Sequence, residues 1–156
     1  MVERREYLEA LEKWKKDRVI KVVTGLRRCG KSTLLQMFQE RLRRNGIFND
    51  QIVSINFEDM AFEDLLDYKA LYQYILERLA PDKMNYIFLD EIQLVPNFQK
   101  AVDSLYIKEN VDLYITGSNA FLLSGELATL LSGRYPHFTE PNQNAPTGCA
   151  ISRLVL

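Results

Sequence analysis

At 156 residues the chain fits one domain, long enough to bury a proper core. Its 47% hydrophobic and 26% charged residues are those of an ordinary soluble globular protein, and a net charge of −1 leaves no whole-domain basic excess of the kind nucleic-acid binding favours. No apolar run approaches a membrane span, and the opening Met-Val-Glu-Arg-Arg lacks a signal-peptide stretch, so no membrane partner is expected.

The two cysteines, Cys29 and Cys149, have neither a ligand-like nor a disulfide-like neighbourhood, which fits a reducing, cytoplasmic setting. The small net charge hides an asymmetry. Residues 1–46 carry 13 Lys and Arg against 6 Asp and Glu, and residues 47–110 carry 5 against 12. The basic segment reads in two ways: as a nucleic-acid footprint, or as Arg27, Arg28 and Lys31 serving phosphates beside solvated helix faces. The second is preferred; nucleic acid is possible but not indicated.

Glu3 to Lys16 has the pattern of an amphipathic helix, with Tyr7, Leu8, Leu11 and Trp14 on or near one face. It either only packs or also touches a nucleotide base. Arg18 to Thr24 is β-branched and mostly apolar, as a buried parallel strand requires. Then comes Gly25-Leu26-Arg27-Arg28-Cys29-Gly30-Lys31-Ser32-Thr33, which fits a phosphate-binding loop. Gly25 and Gly30 let the backbone curl so that N–H groups converge on phosphate oxygens. Lys31 reaches the β- and γ-phosphates, and the Ser32 hydroxyl suits the Mg2+ that travels with a nucleotide. The helix pattern from Ser32 to Asn45, with Leu34, Phe38 and Leu42 four apart and Gly46 as C-cap, places a positive helix terminus behind the anion.

Gln51 to Phe57 is the next strand, running into Glu58 and Asp59. That pair either tunes a magnesium environment or holds a basic residue, or it only caps the loop. Asp64 to Leu79 repeats apolar residues at helical spacing until Pro81. Tyr86-Ile-Phe-Leu-Asp90-Glu91 delivers two carboxylates at the tip of a buried strand. In a P-loop enzyme Asp90 holds Mg2+ through its water shell, and Glu91 polarises the attacking water. A helix from Pro96–Asn97 to Lys108 follows, then a strand from Val111 to Asn119. Its polar tip offers a γ-phosphate or water contact, with Ser118 first, Asn119 and Thr116 behind it; a Gly117 turn with an N-capping Ser or Asn is the alternative. Ala120 to Leu131 has a Leu-rich helical pattern, and Arg134 stands where an arginine finger or a surface Arg would sit. Residues 137–148 are rich in Pro, Asn and Thr without periodicity, and 149–156 end apolar, enough for a short strand.

The segments 21–35, 55–59, 86–93 and 115–135 together resemble the N-terminal ATPase module of a prokaryotic AAA+-type family, over roughly residues 4–135. The resemblance implies a three-layer α/β P-loop fold with a mostly parallel sheet of the additional-strand class, the acid-bearing strand beside the loop strand. It implies ATP and Mg2+ as ligands, with the ATP bound and hydrolysed by Lys31, Ser32, Asp90 and Glu91. Arg134 would act in trans on a neighbouring copy, hence a homo-oligomer. Where the family generally has Ser, this chain has Cys29, which a loop working through its backbone tolerates. A free thiol at a helix N-terminus should also be reactive.

After Arg134-Tyr135 the family pattern stops. The chain divides into a core at 1–135 and an irregular tail at 136–156, and the expectation is a truncated or shortened member without the lid and C-terminal domain. The fifth strand that should flank the loop strand is in question for the same reason. The first reading is therefore an Mg-dependent ATP hydrolase. The alternatives are a non-catalytic nucleotide- or DNA-binding module derived from one and a small-molecule kinase, although no acceptor-binding lid is found.

Overall fold

The computed structural model describes residues 2–15, 17, 19–25, 28–118 and 149–154. The elements in order are α1 (Val2–Lys13), β1 (Ile20–Gly25), α2 (Lys31–Arg44), β2 (Ile52–Asn56), α3 (Tyr68–Arg78), β3 (Asn85–Asp90), α4 (Phe98–Tyr106), β4 (Val111–Ser118) and β5 (Cys149–Leu154).

The sheet runs β2-β3-β4-β1-β5. Its first four strands are all parallel, and β5 closes the edge antiparallel to β1. β1 and β3 are buried along their whole length, which is why their sequences are near-continuous in apolar residues instead of alternating. One expectation is corrected here. The acid-bearing strand β3 is not beside the loop strand β1, because β4 lies between them. The short β3–α4–β4 crossover lays consecutive strands side by side, and β1 then pairs with the remaining edge of β4. The interposed strand is what the additional-strand class means. The strand at 149–154 forms and flanks β1 on its other side.

Alternation along the strands sends side chains to two cores. Ile20, Val22, Ile55, Ile87, Leu89 and Ile115 meet α3 and α4 on one face. On the other, Val23, Tyr86, Phe88 and Tyr114 meet Leu11 of α1 and Leu34, Phe38 and Leu42 of α2. Phe88 and Tyr114 stack at 4.7 Å between centroids, and Phe38 sits 5.2 Å from Tyr114. These contacts fix α2, and so the loop before it, against the sheet.

The helix expected over 64–79 is two pieces. A 3-10 segment covers Met60–Leu65, and α3 starts only at Tyr68. Asp67 breaks the run because its extended backbone lets the carboxylate accept from the N–H groups of Lys69 and Ala70, a local bond that competes with helix continuation. Among the described residues no helix is long and apolar enough to cross a membrane.

The second core holds a polar knot that periodicity does not reveal. The Lys21 ammonium pairs with Asp112, and the Tyr114 hydroxyl donates to the other Asp112 oxygen at 2.8 Å. Burial pulls Lys21 below its usual range, and the Asp112 carboxylate pulls it back up. Tyr86, fully buried nearby, is pushed up to about 12 by burial, then by Asp112 and Glu12; Tyr114 is raised in the same direction.

Both phenols keep their protons longer in the folded chain than in the unfolded one. The contribution of Tyr86 to stability is therefore complete below pH about 10 and lost as pH climbs toward 12, and that of Tyr114 is lost in the same direction. Urea unfolding midpoints should fall over that interval, and Tyr86→Phe should flatten part of the fall. An unchanged slope in the variant would show that Tyr86 does not carry it.

Candidate nucleotide site

The site begins where β1 ends at Gly25, at the C-terminal edge of the parallel strands where open α/β sheets take ligands. The loop turns through two left-handed residues, Arg28 (φ 67°) and Gly30 (φ 99°), and α2 starts at Lys31. No side chain caps that helix and no carboxylate lies in its first turn. Its leading N–H groups and positive end are thus left to an anion. Leu26 and Arg27 lie outside the described residues.

Lys31 is almost completely buried. Its Nζ donates to the Gly25 carbonyl at 3.1 Å and stands 3.6 Å from Glu91 Oε1. A cleft of about 330 Å3, large enough for a small ligand, is lined by Arg28, Gly30, Lys31, Ser32, Thr33, Glu58 and Glu91. The acidic pair at 58–59 splits between the cleft and the turn that follows. Glu58 lines the cleft, while the Asp59 side chain accepts from Ala61 N–H at 2.9 Å and caps the 3-10 turn.

Asp90 and Glu91 sit at the tip of β3, and β4 braces both. The Thr116 hydroxyl donates to Asp90 Oδ1 and accepts the Glu91 N–H at 2.9 Å. Glu91 itself is left-handed (φ 60°, ψ 49°), a conformation that costs a non-glycine residue on the order of 1–3 kcal/mol and that neighbouring bonds must hold. Its carboxylate faces Lys31 through Oε1 and accepts from Gln93 Nε2 through Oε2.

Of the three candidates at the β4 tip, Thr116 is fully buried with its hydroxyl engaged by the acids. Ser118 lies opposite Gly25 in the β1–β4 register, and Asn119 lies outside the described residues. So does Arg134.

Sequence reasoning passed over Gln93 and set Thr116, with Asn119, behind Ser118. Gln93 stands two residues after the acid in Asp-Glu-Ile-Gln, a spacing that signals nothing until a 3-10 turn folds it back.

Cys29 is also corrected. It is disulfide-bonded, so the expectation of a free, reactive thiol is withdrawn. The antiparallel β1–β5 register sets Cys149, the other cysteine of the chain, opposite Gly25 at the start of the same loop, a neighbourhood that sequence separation concealed. At the far end of the sheet, a hollow of about 30 Å3 beside Asp17, Val19, Met84 and Asp112 has room for water.

With β4 interposed between loop strand and acid strand, the fold and this cleft together define an AAA+-type P-loop module. The chain belongs to the AAA domain family, whose model matches residues 17–140. It is 44% identical over 136 residues to an uncharacterised protein of Haemophilus influenzae, covering 86% of this chain and 34% of that protein. It is 40% identical over 116 residues to an uncharacterised protein of Methanocaldococcus jannaschii, covering 74% and 24%. The chain thus spans about a third or less of these curated relatives. Two solved structures share the fold at 19% and 18% identity, each covering 84% of this chain. One is of Drosophila ORC bound to AT-rich DNA and Cdc6 (TM-score 0.56, 52% of that chain), and the other of Drosophila ORC bound to DNA (TM-score 0.53, 87% of that chain).

Proposed function

We propose that the chain binds Mg-ATP in the cleft over Lys31 and hydrolyses it to ADP and phosphate. The observation that carries this reading is the meeting of Lys31 and Glu91, 3.6 Å apart on the wall of one cleft at the head of an uncapped helix. A cation for phosphates and a carboxylate for water face the same space.

The residues present also fit Mg2+. Among the described residues no cluster of three His, Cys, Asp or Glu side chains would hold a metal by itself. The loop and the β3 tip offer the Ser32 hydroxyl and the Asp90 carboxylate for it. That pair suits an ion that arrives on a nucleotide, keeps several waters and needs only one or two protein oxygens. Bound there, Mg2+ would neutralise charge developing on the phosphates.

The chain's own residues do the rest. The N–H groups from Gly25 to Thr33 cradle the phosphates, and the left-handed turns at Arg28 and Gly30 aim them. Lys31 adds charge at the β- and γ-oxygens, and Thr116 keeps Asp90 and the Glu91 backbone in register. Glu91 orients a water in line with the γ-phosphate and takes its proton. Catalysis of this kind is positioning and electrostatics, with no covalent intermediate. On the same reading Ser118 contacts the γ-phosphate or the water, and Arg134 serves the nucleotide of a neighbouring copy in a homo-oligomer.

The test is a Mg-ATP titration of the parent beside Lys31→Ala, with and without a thiol reductant. Hydrogen bonds to a charged group contribute about 1.5–3 kcal/mol each, so the variant should bind about 10–100-fold more weakly or lose binding. Equal affinity in the two proteins would refute the reading.

A further inference from the structure

Glu91 is held by its two oxygens in different ways. Oε1 is shared with Lys31, the cation that the proposed function assigns to phosphates. Oε2 accepts from Gln93, whose neutral side chain is outside the cleft lining and competes for no phosphate. Gln93 is carried on a 3-10 turn, Ile92–Leu94, pinned by Leu94 N–H to the Glu91 carbonyl at 3.2 Å and by Val95 N–H to the Ile92 carbonyl at 3.0 Å. Ile92 and Val95 anchor that turn in the core. The amide can face Glu91 only through its NH2 group, because the flipped amide would set oxygen against carboxylate oxygen. Its own Oε1 is buried with no hydrogen-bond partner among the described residues, a cost that nothing within the turn recovers.

A partly buried glutamine that leaves its acceptor unsatisfied in order to donate to an active-site acid is placed for that acid. We propose that Gln93 is a positioning residue, fixing the Glu91 carboxylate through one oxygen while the oxygen shared with Lys31 turns to the attacking water. Lys31 moving toward phosphate then releases the reacting oxygen without releasing the side chain. The inference rests on the reading of Glu91 as the base. It deepens that reading by naming what aims it.

The experiment uses the whole chain with Gln93→Ala and the isosteric Gln93→Glu. First, the side-chain amide proton resonances of Gln93 are recorded in the parent, in Glu91→Ala, and in the parent saturated with a non-hydrolysable Mg-ATP analogue. Expected is a downfield amide proton in the parent that persists with the analogue and disappears in Glu91→Ala; a resonance indifferent to Glu91 overturns the proposal. Second, Mg-ATP affinity in Gln93→Ala should stay within about twofold of the parent while kcat falls about 10–100-fold in both variants, the penalty of a misplaced reacting group.

Gln93→Glu sets a second carboxylate against Glu91, so it should misplace that acid at least as much as Gln93→Ala does; a purely structural glutamine would lower stability in Gln93→Ala and leave its kcat alone. Parent-like kcat in either variant, or a loss in Gln93→Ala expressed in affinity instead of kcat, therefore overturns the positioning role. A parent that binds no Mg-ATP or releases no phosphate sinks the proposed function and this inference together. A parent with Glu91-dependent turnover and indifferent Gln93 variants sinks only this one.

Discussion

Glu91→Gln is expected to bind Mg-ATP as tightly as the parent, or a few-fold more tightly, and to release phosphate at least about 100-fold more slowly. The direction of each effect follows from the geometry. Gln has the volume of Glu and accepts the same left-handed backbone, so the N–H bond to Thr116 and the buried β3 tip survive. An amide oxygen still accepts from Gln93. What disappears is the charge 3.6 Å from Lys31, which frees the ammonium for phosphate, and the basic oxygen that takes the proton of water. General bases contribute about 100- to 10,000-fold, which sets the size of the loss. Phosphate release under saturating Mg-ATP beside an equilibrium titration separates the two effects. A variant that turns over at the parent rate would remove Glu91 from the mechanism and leave the Lys31 cleft a binding site.

The parts of this site legible in the sequence are those where the backbone or a short spacing does the work. The Gly25–Thr33 pattern gives a turn into a helix whatever surrounds it, and the four apolar residues before Asp90 give a buried strand. The unread parts depend on neighbours across the sheet. Burial periodicity along β3 and β4 says which face each residue takes and nothing about which strand lies beside which, so the interposition of β4 was open to error. Thr116 and Gln93 reach Asp90 and Glu91 only because β4 packs against β3 and a 3-10 turn folds back on Glu91.

Asn85 shows the same limit away from the site. It is fully buried, accepts from Ala80 N–H, and donates to the carbonyls of Ala80, Lys83 and Asn110, tying the turn after α3 to the entry of β4. A lone Asn at a strand start carries no such signal.

The Lys21–Asp112 pair marks the strongest stability prediction. It lies near the N-terminal ends of β1 and β4, away from the phosphate loop, and both side chains are almost completely shielded. Asp112→Ala would leave the Lys21 ammonium buried with the Asp17 carbonyl, 3.3 Å away, and the face of the Tyr114 ring, and it would strip the Tyr114 hydroxyl of its acceptor. Removing one member of a buried pair costs about 3–5 kcal/mol, because desolvation of the remaining charge is no longer offset. That is a large share of the roughly 5–15 kcal/mol that holds a domain folded.

Lys21→Met with Asp112→Leu should recover much of the loss, since apolar groups of similar size carry no desolvation cost there. Urea unfolding of the parent, the single variant and the double variant measures all three. If Asp112→Ala unfolds within about 1 kcal/mol of the parent, the pair is not the offset buried charge described above. If the double variant is as unstable as the single one, the stability lies in the hydrogen bond to Tyr114 and its packing on Phe88 instead, with the ion pair a minor part of it.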